Sequence, residues 1–345
     1  MYLFFRKFLF LFDAERIHVL SLDLLSLAHR FGLLRFFMKR RVQAPVTVMG
    51  IDFPNRIGLA AGLDKDAGHI DALAQCGFGF IEVGTVTPLA QDGNDKPRLF
   101  RLQQDSAIIN RMGFNNSGVH NLVANIKNSQ WFKQDKSKCV LGINIGKNKV
   151  TTLENAVDDY LICMDHTYCH ADYITINISS PNTPGLRELQ HGDGLTNLLT
   201  RLKDKQAELA DRYNRYVPLA VKIAPDLSVD EVKDIAKRLI ATEIDGVIVS
   251  NTTNSRPSTL HCQKLATETG GLSGPPVFEL SNQILEQLIS ELHGKIPVIA
   301  VGGVSSAEDA LHKIRSGASL VQIYTGFIYS GPSLISACAT KLQEI

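Results

Sequence analysis

The sequence has no dominant charge. Across 345 residues, 36 Lys and Arg face 35 Asp and Glu, a formal net charge of +1, and the basic residues are spread along the chain. A nucleic-acid partner needs a clustered basic face, so none is expected. Cysteine is sparse as well. The six present, Cys76, Cys139, Cys163, Cys169, Cys262 and Cys338, show no paired spacing, and nothing suggests secretion. Reduced thiols in a cytosolic setting follow, with no disulfide framework. Cys163, His166, Cys169 and His170 fall on one predicted helix at i, i+3, i+6 and i+7. A single straight helix seldom closes a tetrahedral site, so no metal is assigned to them.

Familiar motifs are missing too. GINIGKNK (142–149) approaches a phosphate loop, but three residues separate its glycines where four are needed. Asn148 also stands where Ser or Thr would hold magnesium. LDKDAG (63–68) begins like a calcium loop, yet its glycine comes early and Gln75 replaces the bidentate acid. No GxGxxG follows the first strand and no GxSxG occurs, which argues against a Rossmann nicotinamide site and a serine-hydrolase elbow. The opening run MYLFFRKFLFLF is broken by Arg6 and Lys7 and is too short to span a bilayer. It also lacks the leading charge and small-residue cleavage site of a signal peptide.

What is present is ordinary globular composition, 44% hydrophobic and 21% charged, in a length suited to one decorated α/β barrel. After the opening run, Ile17, Leu20, Leu24, Leu27 and Ala28 recur at helical spacing, and an apolar patch from Leu33 to Met38 ends in Lys39, Arg40 and Arg41. Two short helices with apolar faces and a basic edge suit a membrane surface; the alternative is that they pack on the rest of the chain. From Asn55 onward, short apolar β-rich runs alternate with helical stretches. The runs are Ile57–Ala61, Phe80–Thr85, Val140–Ile145, Tyr173–Asn177, Leu219–Ile223, Gly246–Ser250, Val298–Val301 and Leu320–Ile323. Helices are predicted over Asn155–His166, Leu195–Asp211, Val229–Ile240 and Ser306–Ile314. Nearly continuous apolar runs mark parallel strands covered on both faces. Eight of them predict a closed (β/α)8 TIM barrel, 42–345, carrying an N-terminal two-helix extension, 1–41; an open doubly wound sheet is the competing topology. A linker is expected near 41–50. Three long connections, 88–118, 179–194 and 251–276, all leave strand C-termini, where barrel enzymes keep their chemistry.

Within that frame, Gly302 and Gly303 follow the seventh strand ahead of a helix capped by Ser305 or Ser306, and Tyr324, Thr325 and Gly326 follow the eighth. Such loops bind phosphate through bare backbone N–H groups. Lys222 ends the fifth strand, where a buried cation suits the edge of a flavin; burial there requires an anionic neighbour. Asn110, Asn115, Asn177, Asn182 and Asn251, beside Lys65, offer donors and acceptors to a ring bearing imide and carboxylate groups, although any one of them could be a turn residue.

The motifs AAGLDKDAG, EVGTVTP, KPRLFRL, NRMGFNN, GINIGKNK, INISSPNTPGLR, VKIAPDLS, DGVIVSNTT, TGGLSG, VGGVSS and GASLVQIYTGF, in order over nearly the whole chain, resemble the dihydroorotate dehydrogenase family, in its class 2, quinone-linked, membrane-associated branch. The resemblance implies oxidation of dihydroorotate to orotate in de novo pyrimidine biosynthesis, with FMN as hydride acceptor and a membrane quinone as final acceptor. It places FMN against Ala60, Ala61, Gly62, Lys65, Thr85, Asn144, Asn177, Lys222 and Ser250, with Gly274, Gly303, Tyr324 and Thr325 at the phosphate end. Ser250 stands where relatives usually have Thr, and Thr325 replaces a common Ser. Lys65, Asn110, Arg111, Met112, Gly113, Phe114, Asn177, Asn182, Asn251 and Thr252 are implied around the substrate. Ser180 is implied as the base that takes the C5 proton while C6 gives hydride to the flavin, its own proton leaving by a path that includes Thr183 and water; class 1 relatives carry Cys there. His18 and Arg101 are implied as quinone contacts in a tunnel formed by the two N-terminal helices, with Tyr324 at its inner end. A monomer held peripherally on the cytoplasmic face of a bacterial inner membrane is expected. The alternatives are a class 1 or dihydropyrimidine-type flavin barrel, and a non-catalytic flavin carrier.

Overall fold

The computed structural model describes residues 2–134 and 139–345. The chain opens with helices α1 (Tyr2–Leu9), α2 (Ala14–Arg30) and the single turn α3 (Leu34–Phe37). The hairpin strands β1 (Val46–Val48) and β2 (Ile51–Phe53) come next. Then follow β3 (Ile57–Leu59), β4 (Phe80–Val86), β5 (Leu99–Leu102), β6 (Ala107–Asn110), β7 (Val140–Ile145), β8 (Tyr173–Asn177) and β9 (Leu219–Ile223). The last are β10 (Gly246–Val249), β11 (Gly271–Ser273), β12 (Val298–Val301) and β13 (Leu320–Ile323). Strands β3, β4, β7, β8, β9, β10, β12 and β13 close a barrel, each parallel to its neighbours.

The eight expected strands are the eight of the barrel. Helices cover their outer faces and side chains fill the interior, so each strand is buried throughout and mostly apolar. Inside, large and small residues alternate. A Cβ on Gly58 would lie 2.2 Å from the Phe80 ring, and one on Gly142 would lie 2.2 Å from Tyr173; these glycines make room for the two rings that pack the barrel floor. Phe53, from the β1–β2 hairpin, meets Phe80 edge-on with centroids 5.2 Å apart. Val48, inside the 41–50 stretch expected as a linker, joins the same buried cluster, so that stretch helps plug the barrel's lower end.

Two of the long connections also carry structure. β5 and β6 lie in 88–118 and β11 in 251–276, and they pair as a three-stranded antiparallel sheet whose β6 end, Asn110, reaches the barrel mouth. The cysteine–histidine group does not share one helical face. The α-helix ends at Thr167, and Tyr168–His170 form a 3-10 turn. Cys163 is buried, while His166 packs on His120 with ring centroids 4.4 Å apart. Among the described residues no group of His, Cys, Asp or Glu could hold a metal.

The extension differs from expectation in two ways. Part of the opening run is itself a helix, α1, anchored by Tyr2 Oη donating to the Ile328 carbonyl (2.5 Å) and by Arg6 donating to the Tyr329 carbonyl (2.6 Å). On α2, Ala14 and Leu22 are buried, whereas Leu20, Leu24 and Leu27 are 49%, 51% and 49% exposed. The helix is apolar on more than one side, and the barrel covers only one stripe of it. No helix among the described residues is long and apolar enough to cross a membrane.

Candidate active site

The C-terminal ends of the barrel strands open into a cleft of about 1070 Å³, measured out to its mouth. Every residue expected at the flavin or substrate lines it except Asn115, Asn144 and Arg111. Asn144 sits one layer behind, where its side-chain carbonyl accepts from Thr85 Oγ1 (2.5 Å) and Asn177 Nδ2 (3.1 Å). It acts through those two wall residues. Arg111 turns away: its guanidinium lies 2.7 Å from Glu268 and over the Phe100 ring. The NRMGFNN motif places its neighbours Asn110 and Met112 at the wall, while the Arg111 side chain finds a carboxylate outside it.

Beneath the wall lies a carboxylate that sequence reading missed. Glu82, fully buried on β4, accepts from Asn144 Nδ2 (2.8 Å), Tyr173 Oη (3.0 Å), Thr175 Oγ1 (3.1 Å) and Gln322 Nε2 (2.8 Å). An acid inside the apolar run FIEVGTV was the available signal. Lys222, opposite Asn177 in the β8–β9 register, is buried, and its ammonium forms no hydrogen bond among the described residues. Burial lowers its ammonium pKa, and the field of Glu82 partly offsets that. The anionic neighbour that a buried lysine requires is therefore present.

The substrate side is a ring of amides and hydroxyls. Asn251 Nδ2 donates to Ser179 Oγ (2.9 Å), Ser179 Oγ donates to Asn177 Oδ1 (3.0 Å), and Asn182 Nδ2 donates to the Asn110 carbonyl (3.1 Å). Ser180 Oγ accepts from the Asn182 amide (3.2 Å). Thr183 Oγ1, three residues on, is buried without a partner among the described residues. Arg187, also missed from sequence, ties this loop down: it donates to the Ser179 and Thr252 carbonyls (both 3.0 Å) and pairs with Asp226 (2.8 Å). Lys65 reaches the same space. Burial lowers its pKa to about 8, against the opposing fields of Glu15, Asp66 and Asp64.

At the far end of the cleft, Gly303 has φ +78, and a Cβ there would lie 2.5 Å from Phe278, so only a bare backbone fits. The following helix is capped by Ser306, in a reciprocal capping box with Asp309. Thr325 Oγ1 and Ser273 Oγ share a hydrogen bond of 2.8 Å. Behind this loop Lys313, wholly buried, donates to Ser281 Oγ (2.6 Å), which in turn donates to the Gly302 carbonyl (3.1 Å).

A second cavity, about 1000 Å³ out to its mouth, lies between α1, α2 and the barrel. Its walls are mostly apolar, including Leu22, Leu25, Ile108 and Phe327, and both His18 and Arg101 face it. His18 shares a 3.0 Å hydrogen bond with the Leu63 carbonyl, and burial lowers its pKa to about 4, so it is neutral near pH 7. Arg101 stacks over Phe10 and donates to the Phe12 carbonyl, yet its other terminal nitrogen is buried without a partner among the described residues. Tyr324 belongs to the walls of both cavities. α1 contributes Tyr2 and Leu9 to this second one, a role the sequence did not indicate.

A closed parallel barrel with buried cations and amides at its C-terminal mouth is an α/β-barrel enzyme. Residues 43–345 match the model of the family described as dihydroorotate dehydrogenase. The chain belongs to the dihydroorotate dehydrogenase family, a family of oxidoreductases. It is 58% identical over 342 residues to the dihydroorotate dehydrogenase (quinone) of Idiomarina loihiensis, spanning 99% of this chain and 100% of that protein. It is 55% identical over 344 residues to the protein of the same name from Saccharophagus degradans, spanning 100% and 99%. A crystal structure of DHODH from Eimeria tenella in complex with ferulenol superposes with a TM-score of 0.85 at 38% identity, covering 94% of this chain and 90% of that one.

Proposed function

We propose that the protein oxidises (S)-dihydroorotate to orotate in de novo pyrimidine biosynthesis, with FMN as resident cofactor and a membrane quinone as final acceptor. The observation that carries this reading is Tyr324. It lines both a polar cleft, suited to an anionic ring, and an apolar cavity, suited to a greasy one. Two half-reactions on substrates of opposite polarity need two such entrances meeting at one electron carrier.

The residues fit FMN. Among the described residues the Lys222 ammonium has no hydrogen bond, and Gln322 Oε1, on the same wall, is buried without a partner. The Gly303 cradle admits no side chain. Lys222, Thr85 and Asn177 would hold the ring edge, and Gly274, Gly303 and Thr325 the phosphate. When bound, the flavin accepts the hydride equivalent from the substrate and yields the electrons to quinone. Lys65 holds the substrate carboxylate, and the amides of Asn110, Asn177, Asn182 and Asn251 satisfy its ring. Ser180 Oγ removes the C5 proton. A serine hydroxyl is a weak base, so its own proton has to leave, and the unpartnered Thr183 hydroxyl offers the next position on the way to water. Arg187 keeps the loop closed and water out, which strengthens these polar contacts.

The extension supports peripheral membrane attachment. Phe4 on α1, Phe31 at the C-terminal cap of α2, and Phe36 and Phe37 on α3 are exposed, beside the basic edge Lys39–Arg41. The cytoplasmic face of an inner membrane is where the product would be used. The test is direct. Purified protein should show a flavin spectrum that dihydroorotate bleaches without oxygen and a quinone restores; a spectrum indifferent to dihydroorotate overturns the reading.

A further inference from the structure

Glu15, on α2, lies in neither cavity wall, yet it grips the barrel. Its carboxylate takes a two-pronged contact from Arg98, with Nη2 at 2.7 Å from Oε1 and Nε at 3.1 Å from Oε2. Arg98 is buried and holds the loop around it closed, its Nη1 donating to the Asp92 (2.5 Å) and Asn94 (2.7 Å) carbonyls. That loop in turn clasps the substrate wall. The Asn94 amide donates to the Met112 carbonyl (3.0 Å), and its side chain donates to the carbonyls of Arg111 (3.0 Å) and Asn182 (3.3 Å). Asn182 belongs to the Ser180 loop, and Met112 faces the cleft. A Cβ on Gly93 would lie 2.2 Å from the Met112 carbonyl, so the two backbones are in close contact. Burial alone would raise the Glu15 carboxyl, but the Arg98 hydrogen bond and charge, with Lys96, outweigh it and keep Glu15 ionised.

We infer that Glu15 is a positioning residue for the anionic substrate. Through Arg98 and Asn94, the N-terminal helix fixes the wall formed by residues 110–113 and Asn182, so the extension governs substrate affinity as well as access for the acceptor. The physical reason is pre-organisation. Residues 88–118 form a long connection between barrel strands, and an ordered wall binds more tightly than one that must be ordered on binding. This inference rests on the functional reading above.

The experiment measures orotate dissociation from the whole enzyme, followed by the change in flavin absorbance, in the parent, Glu15→Ala, Asn94→Ala and the double variant. Ser26→Ala serves as control, because it removes a different α2–barrel contact, the 2.8 Å bond to His69. Each strut variant should weaken orotate by about five-fold, the size of a transmitted coupling, with the Michaelis constant for dihydroorotate rising in parallel and flavin content unchanged. If the two residues act in series, the double variant should again lose only about five-fold, where independent contributions would multiply to about twenty-five-fold. Ser26→Ala should match the parent. Multiplicative loss, parental affinity in Glu15→Ala, or an equal loss in Ser26→Ala each overturns the inference. Should Glu15→Ala fail to hold flavin, Glu15→Gln, of equal volume, makes the same comparison. A parent that dihydroorotate does not bleach would instead defeat the functional reading.

Discussion

At the barrel mouth, Glu82 is wholly out of water and yet accepts four hydrogen bonds; on α1 and just beyond it, Phe4 and Leu11 are each 78% exposed with little covering them. The first region has brought charge inside and satisfied it. The second has left grease outside. A buried carboxylate without partners would cost several kcal/mol, so the network around Glu82 is a condition of folding, and it fixes Thr85, Asn144, Asn177 and Gln322 before any ligand arrives. Exposed aromatics carry no such internal constraint; in the proposed function a membrane surface covers them. One region is complete by its internal bonds, the other by its environment, and Tyr324, Glu15 and Arg98 are where they touch.

The largest effect should come from Ser180→Ala, which tests whether the two regions can be separated. Losing a general base costs roughly 10²–10⁴ in rate, so flavin reduction by dihydroorotate should fall by about a thousand-fold with flavin content unchanged. Reoxidation by quinone of chemically reduced enzyme, followed by stopped-flow absorbance, should keep the parent rate. A parallel loss in both half-reactions would mean that the division drawn here is false.

The same contrast explains what could be read from sequence. The eight barrel strands were legible because burial on both faces leaves a nearly continuous apolar run, as in VLGINI and LVQI. Strands β1, β2, β5, β6 and β11 lie outside the barrel, each with at least one residue only partly buried, so no run covered on both faces marks them. Most expected site residues lie at the cleft because a motif fixes the local backbone. Arg111 does not, because a motif leaves a long side chain free to follow the nearest carboxylate. Glu82, Arg187 and Lys313 were missed since each acts from behind the surface that the motifs describe. The Glu15–Arg98 pair joins residues 83 positions apart, a distance no local pattern spans. On α2 the apolar spacing was read correctly, but which stripe faces the barrel depends on the tertiary partner.

A second, smaller effect sets the two entrances apart by pH. Burial lowers Lys65 to about 8, and an anionic ligand binds the charged form. Below that value the ammonium is already protonated. Above it, binding must take up a proton, so orotate should weaken by about ten-fold for each pH unit above 8. His18, lowered to about 4, stays neutral throughout that range, so the Michaelis constant for an uncharged quinone should be level from about pH 7 to 9. Isothermal titration of orotate and steady-state quinone kinetics over the same buffers measure both. A flat orotate profile would show that Lys65 does not carry the anion, and a quinone profile that tracks it would erase the distinction.

The smallest effect concerns the exposed face. Phe4 lies outside both cavity walls and is 78% exposed, so Phe4→Ser should alter neither substrate nor flavin. Burying a phenylalanine ring fully is worth about 1.5–3 kcal/mol, and a ring at a headgroup boundary realises part of that. Vesicle partitioning, measured by co-sedimentation, should therefore fall by about five-fold, while turnover with a short-chain soluble quinone is unchanged. Lys39, Arg40 and Arg41 contribute by charge, so neutralising them should weaken binding to anionic vesicles only and lose its effect at high salt. Phe4→Ser should weaken binding to neutral and anionic vesicles alike, at any salt. If instead Phe4→Ser slows the soluble acceptor, then α1 is held in place by its own packing, and the exposed face belongs to the internally bonded part of the molecule after all.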